Sequence, residues 1–415
     1  MAGVSIDDFG ASFIHYLPGV IRILNNTSLA RTLPMGKMKW EGVNLEKYVH
    51  VKRNTAISAT ADGGAIPPAG KQTYVPTKLY RNFVVGSVKV SDGILNNAAT
   101  TEHAAITVVE SELRGMLDGI RKWENFHFTR DGTGVVATIG TTASGSTFTV
   151  SDGRLLWDDA WFEIRDATTT STIHDTFQVS KIARAFTSGE VTVTPASTLA
   201  ASGQATGDYV TWLGSSATNS SSFNNVPMGL DGMIDDNTGT FQAIDNDTYP
   251  RWTSPVLSNG GTARPLTPSL FRQALGAVKQ ETGDDPPDGM TCLTNVWGAI
   301  NVEEMYEGEL RITETTKVAG IEIAAFKSTL GTIKVVQDPD SPYGKMFLTD
   351  MGEVSRAVQK DLDWRKAKGG GIFRPSDNSL HWVANCLEIC EYGIERRNRC
   401  AKIEDLSETK STAFG

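Results

Sequence analysis

The chain of 415 residues is poor in the side chains on which hydrolases and disulfide scaffolds depend. Four cysteines in a chain this long make no disulfide framework and fit reduced thiols in a cytoplasm. Six scattered histidines, with no G-x-S-x-G, Walker or zincin motif, argue against a hydrolase. No apolar run approaches a membrane span, so no membrane partner is expected. The opening Met1-Ala-Gly-Val-Ser-Ile-Asp-Asp8 lacks the basic and apolar regions of a signal peptide, and an untrimmed N-terminus is expected. Basic excess is also missing: the net charge of −9 indicates no overall nucleic-acid-binding surface. What remains is 40% hydrophobic and 21% charged, the balance of a soluble globular protein with two or three cored domains.

The most informative stretch runs from Glu41 to Gly134. Two arms, Lys47–Thr60 and Gln72–Val85, the second continuing through Ser87–Val90, are rich in Thr, Val and Tyr. Between them Asp62-Gly-Gly-Ala-Ile-Pro-Pro-Ala-Gly70 is a dense turn signal. Pro76 excludes the second arm from the centre of a sheet, and Lys52, Arg53, Lys71, Lys78 and Arg81 suit a solvated or edge ribbon. A two-stranded ribbon is marginal in water, so something outside the subunit should cover it. From about Asn97 the period changes, and Ile106, Val109, Leu113, Met116, Ile120 and Trp123 form one helical stripe. Asn97 or Thr101 could cap this helix. About thirty residues would give a length of roughly 45 Å. Arg130-Asp-Gly-Thr-Gly134 stops it, and Gly115 and Gly119 permit close approach by a packed element.

Residues 1–40 read as an extended arm with a helical turn near Ser12–Leu17. Residues 135–214 carry short strands at even spacing, the pattern of a small inserted β barrel or sandwich, and 215–262 a Ser/Asn-rich linker with a further segment. Residues 263–375 mix helix and strand. Thr267-Pro268 starts a helix that Gly283 ends, Val296–Tyr306 is a second helix, and strands follow around Met290, Gly320, Gly331 and Lys345. Leu380–Tyr392 alternates as a long strand leading to Arg397–Ile403, with a frayed polar tail after it.

This order of elements resembles the major capsid proteins of tailed bacteriophages, whose coat has the Hong Kong 97-type fold. The hairpin tip Gly63–Gly70 is similar to that family's extended loop, and the helix ending in Arg130–Gly134 to its spine helix. Gly229–Asp236 with Ile244–Trp252, Phe326–Tyr343 and Arg397–Ile403 are similar to later segments of the same coats. The resemblance implies an α+β fold with an inserted all-β domain. It divides the chain into N-terminal arm (1–40), extended loop (41–95), peripheral spine helix (96–134), inserted β domain (135–214), linker and peripheral segment (215–262), axial domain (263–375), peripheral C-terminal strand (376–405) and tail (406–415). It also implies a late structural protein of the virion, assembled in the host cytoplasm. That protein would join copies of itself through pentamers and hexamers into an icosahedral shell around double-stranded DNA held without sequence preference. A separate scaffolding protein, a portal and a decoration protein are the implied partners. Expansion of the shell, with the spine helix flexing, is implied likewise.

Neither a catalytic residue, nor a cofactor, nor a metal site is expected. The subunit-interface candidates are Tyr48, Gly63, Gly64, Ile66, Pro67, Pro68, Lys71, Tyr74, Lys78, Arg81 and Arg397. Some relatives cross-link a loop lysine to an asparagine. Lys71, Lys78 and Asn398 are available here, but nothing in their spacing selects them and no cross-link is expected. Asp231, Asp235, Asp236, Asp245 and Asp247 miss the EF-hand spacing and read as solvated turn residues. Cys386 and Cys390, near His381, lack a second close pair and read as core thiols rather than zinc ligands. Arg396, Arg397 and Arg399 could touch packaged nucleic acid, but fit inter-subunit ion pairs or solvation better. The alternatives are another virion component, of tail or decoration type, and a glycan-binding β protein or glycoside hydrolase. Trp157, Trp161 and Trp212 are that reading's sugar-stacking candidates, with core packing the competing use.

Overall fold

In the computed structural model, residues 29–40, 42–93, 104–141, 147–184, 191–199, 204–283, 290–306, 316–318, 321–323, 325–328, 331–366, 371–376 and 379–408 are described. The expected turn at Ser12–Leu17 and the caps at Asn97 and Thr101 lie outside them.

The helix Ala104–Phe128 has 25 residues, about 37 Å of axis. Its stripe does what the period requires: Val109 and Ile120 are buried, and Leu113, Met116 and Trp123 pack beside them. They lie on a five-stranded sheet centred on the long strand His381–Ile394. One edge of that strand pairs with Val354–Trp364 and Phe373–Pro375, the other with Asn82–Ser91, all antiparallel. Gly36–Lys39 then joins Val354–Trp364 in parallel. Alternation sends Val84, Val88, Val90, Ala384, Cys386 and Cys390 inward. At Gly86 helix and sheet come closest: a Cβ there would stand 2.7 Å from Ile120 Cδ1, 2.8 Å from Met116 Sδ and 2.9 Å from Cys386 Sγ. Gly132 and Gly134, with φ of 81° and 78°, turn the chain out of the helix where a side chain would be strained.

The described residues of 135–214 form six strands in the order Val135–Thr138, Tyr209–Gly214, Trp161–Arg165, Ile173–Arg184, Val191–Pro195, Phe148–Val150. The bridge Ile139 to Val150 and the bond from Ser151 N–H to Thr138 O (2.9 Å) join first strand to last, closing a small barrel. Its interior is filled by Phe148, Phe162, Phe177, Val179, Val193 and Val210.

A second six-stranded sheet runs Val256–Leu257, Ala401–Ile403, Met346–Thr349, Met290–Thr294, Gly331–Gln337, Ala325–Ser328. Helices Pro268–Thr282 and Val296–Tyr306 accompany it, and Phe271, Leu275 and Val278 of the first share a core with Met290, Ile333 and Leu348. Gly283 caps the first helix in the left-handed region (φ 71°).

Three expectations need correction. Val354–Trp364, placed with the axial block, belongs to the sheet under the long helix. Ala401–Ile403, placed with the peripheral strand, pairs with Met346–Thr349 in the other sheet. The tail is not frayed through 408: Leu406 is buried, and Glu408 accepts bonds from Asn295 Nδ2 and Gly344 N–H. Each depended on a partner distant in sequence, which a local pattern does not name.

Replacing Gly86 by valine should part the helix from the sheet and cost about 1–3 kcal/mol of stability. A lowered midpoint in chemical denaturation would show it, and an unchanged one would mean that the contact is loose.

Candidate assembly site

Strands Asn44–Lys52 and Thr73–Tyr80 pair with each other and, among the described residues, with no third strand, Tyr48 opposite Pro76 and Glu46 opposite Lys78. Their root is fastened to the subunit. Leu79 and Leu45 pack on Trp40, Met38 and Ala357, Lys78 N–H donates to Gln242 O at 2.9 Å, and Lys47 pairs with Glu395. The second arm does not continue as hairpin past Tyr80, because Asn82–Ser91 turns into the sheet. Outward from Lys52, the tip is held at its neck by Asn54, whose Nδ2 donates to Gly70 O (3.1 Å) and whose Oδ1 accepts Ala56 N–H (2.9 Å). A Cβ on Gly70 would strike that Oδ1 at 2.4 Å. Gly63 turns with φ of 76°, and Gly64 N–H closes the turn on Ala61 O at 2.8 Å.

Four apolar or aromatic residues of this arm lie bare of their own subunit. Ile66 is 89% exposed, Ile57 86% and Tyr48 67%. Tyr74 is exposed as well, its ring tilted against His50 and its hydroxyl donating to Gln72 Oε1. Pro68 and Lys71 are exposed and Pro67 is half-buried. Lys78 meets Glu46 at 3.1 Å, and Arg81 lies over the Phe83 ring. Ten of the eleven interface candidates therefore share one projecting ribbon and its root. The eleventh is a correction. Arg397 is buried, donating Nε to Met233 O (2.7 Å) and an amino group to Asp235 O (2.8 Å), with its plane over Phe241. Its guanidinium is consumed inside the subunit. Arg396 and Arg399 likewise pair with Glu353, and Arg399 with Asp350, within the same chain.

Other polar groups were also misjudged from sequence. Asp231 is not a solvated turn residue: Lys345 (2.7 Å) and Lys402 (2.9 Å) flank it, and Lys402 also reaches Asp235. Trp157 and Trp212 meet edge to face at 5.1 Å against the barrel core, which is the packing use of those rings.

The last two turns of the long helix and the residues just after them carry a separate set of polar contacts. Lys122 Nζ reaches Asp340 at 2.6 Å. Asn125 Nδ2 donates to Asp338 and Asp340, and its Oδ1 accepts Ala30 N–H. Arg130 pairs with Asp152 of the barrel, and Arg154, also on Asp152, donates to Pro339 O and Ser341 O, both at 2.7 Å. Glu124 accepts from Arg31 Nε (2.8 Å) and from the Tyr392 hydroxyl (2.7 Å), while Glu388 pairs with Arg31 and Arg356. Burial alone would raise the Asp152 carboxyl, but Arg154 and Arg130 hold it at about 2. Burial and the nearby Asp340 push Asp338 up to about 6. Burial pushes Glu391 to about 8, although Met228 N–H, Tyr392 N–H and Asn82 Nδ2 all donate to it. Glu124, Glu388 and Cys390 present three potential ligand atoms to one another, yet two guanidinium groups already bridge the carboxylates. The sequence reading missed this cluster. Its signal was parity: Glu388 falls between Cys386 and Cys390 on the inward side of an alternating strand.

Residues 165–371 match the family model described as the SU10 major capsid protein. Among solved structures, the chain is similar to the capsid asymmetric unit of Cyanophage A-1(L), at 14% identity and a TM-score of 0.54, over 95% of this chain and 96% of that one. It is also similar to the capsid of an empty GTA particle, at 9% identity and a TM-score of 0.50, over 98% of this chain and 100% of that one. No curated protein sequence matches the chain.

The Glu391 acid yields a pH prediction. Its folded value lies above that of the unfolded chain, so the folded state holds the proton longer and the group's contribution to stability falls as pH rises from about 4.5 to about 8. Glu391→Gln should remove that component. Denaturation of both proteins across this range should show the variant gaining on the wild type towards pH 8, and parallel curves would contradict the assignment.

Proposed function

The chain is a major capsid protein of the tailed-phage type with the Hong Kong 97-type coat fold, and from that premise we propose that its copies close an icosahedral shell through pentamers and hexamers, around double-stranded DNA. The observation that carries the assembly reading is the hairpin: a ribbon anchored at its root, with Tyr48, Ile57, Ile66 and Tyr74 bare at the surface of the subunit. Fully burying an Ile gains about 1.5–3 kcal/mol, and several such residues on one arm supply the centre of an obligate interface. The proposed contact set on a neighbouring copy is Tyr48, Gly63, Gly64, Ile66, Pro67, Pro68, Lys71, Tyr74, Lys78 and Arg81. The sheet bearing helices Pro268–Thr282 and Val296–Tyr306 is proposed to face the capsomer axis, with the long helix and its sheet peripheral. A separate scaffolding protein, a portal and a decoration protein complete the proposed assembly, which takes place in the host cytoplasm. The protein acts through its surfaces and does no covalent chemistry.

The test is a double substitution at the tip, Ile57→Asp with Ile66→Asp. Both side chains stand in solvent in the isolated subunit, so folding should persist within about 0.5 kcal/mol. Electron microscopy of the wild type expressed with its genomic neighbours should show closed shells or capsomer rings, and the variant should give soluble subunits without shells. Normal shells from the variant would remove the hairpin from the interface, and a wild type that stays monomeric throughout would remove the assembly reading itself.

A further inference from the structure

The cluster at Glu124 and Glu388 joins three elements that stay together and one that need not. Glu124 belongs to the long helix, Glu388 and Tyr392 to the central strand and Arg356 to the strand beside it. Arg31 alone comes from the arm, on the short 3-10 turn Leu29–Arg31. Leu29, Ala30 and Leu33 seat that turn in the core shared with Phe128, Tyr392 and Val354. Ala30 N–H then bonds to Asn125 Oδ1 at 2.9 Å.

The charges balance only when the arm is in place. Two carboxylates, fully buried or nearly so, face two guanidiniums: Arg31 lies 2.7 Å from Glu124 and 2.5 Å from Glu388, and Arg356 touches both acids. The other groups facing the cluster do not replace a cation. Tyr392 donates its hydroxyl to Glu124, and burial holds that phenol well above its ordinary value, so it stays neutral. Burial keeps the Cys390 thiol protonated in the same way. Asp361, largely in solvent, is a third acid at 3.9 Å from Arg31 and 3.7 Å from Arg356. Withdrawing Arg31 would leave two carboxylates and one guanidinium in a dry site, which is strongly unfavourable unless one acid takes a proton.

We infer that residues 29–33 form a proton-linked latch, in which Arg31 fastens the arm to the long helix and its release is accompanied by proton uptake at the Glu124–Glu388 pair. The released state binds more protons than the docked state, so acidification favours release. Even with Arg31 in place, burial and the neighbouring Glu124 raise the Glu388 carboxyl above its ordinary value. The inference concerns a contact within one subunit and does not depend on which surfaces meet in the shell.

Hydrogen–deuterium exchange of the full-length protein, read at the amides of residues 29–33 and corrected for intrinsic rates, tests it between about pH 5 and pH 8. In the wild type, protection should fall about tenfold per pH unit on the acidic side of the released pair's titration. Arg31→Gln should lose most of the protection at neutral pH. Arg31→Gln combined with Glu388→Gln should recover it, because no unpaired carboxylate is left, and should lose the pH slope. Wild-type protection without a slope would overturn the latch, as would a double variant no better protected than Arg31→Gln. If Arg31→Gln fails to fold, the wild-type slope and its absence in the double variant still decide the matter.

Discussion

Two ionised carboxylates cannot share a dry interior unless cations lie between them, and Glu124 and Glu388 meet this demand with Arg31 and Arg356. Removing one partner from such a cluster costs about 3–5 kcal/mol, more than any single apolar contact of the helix is worth. The division of labour along the helix follows. Its apolar stripe fixes the rotation about its own axis, because Val109, Ile120 and their neighbours must face the sheet. The charged and amide groups at Lys122, Glu124 and Asn125 fix its position along that axis, because each must meet a specific partner on another segment. Arm, central sheet, the 338–341 loop and barrel are thereby referred to one short length of helix.

Elements defined by local rules could be read from sequence. The hairpin announced itself by Asp62–Gly70 between two Thr/Val/Tyr-rich arms, the long helix by its stripe, and the helix Pro268–Thr282 by Thr267-Pro268 before it and Gly283 after it. The long strand followed from its alternation. Pairing partners could not be read this way. Val354–Trp364 and Ala401–Ile403 have strand character, but nothing within them says which sheet they join. The same limit governed the charged residues. Arg397 looks, in a run of arginines, like a surface cation, yet its carbonyl partners at Met233 and Asp235 lie far away in sequence. Burial of a charge is decided by what folds over it.

The hairpin is the opposite case from this core. Its root obeys the ordinary rules, with Leu45 and Leu79 packed and Lys78 hydrogen-bonded across to Gln242. Beyond Lys52, among the described residues, the tip is ordered by its own bonds, the Asn54–Gly70 clasp and the turn at Gly63. A local clasp of this kind holds the tip's shape while leaving its apolar side chains unspent, so less ordering entropy remains to oppose association.

The barrel's two ends have a consequence of their own. The chain enters it at Val135 and leaves at Gly214, and ten residues later Asn224 N–H bonds to Thr133 O at 2.8 Å. The chain that leaves the barrel is thus bonded to the chain that enters it at the doorway. The covalent route from the long helix to the segment at Leu230 closes on itself before the barrel begins, and its geometry is set without reference to what lies between. Such a doorway tolerates exchange of its contents. It makes the barrel a cassette, whose length and lining can diverge while the frame that carries it keeps its shape.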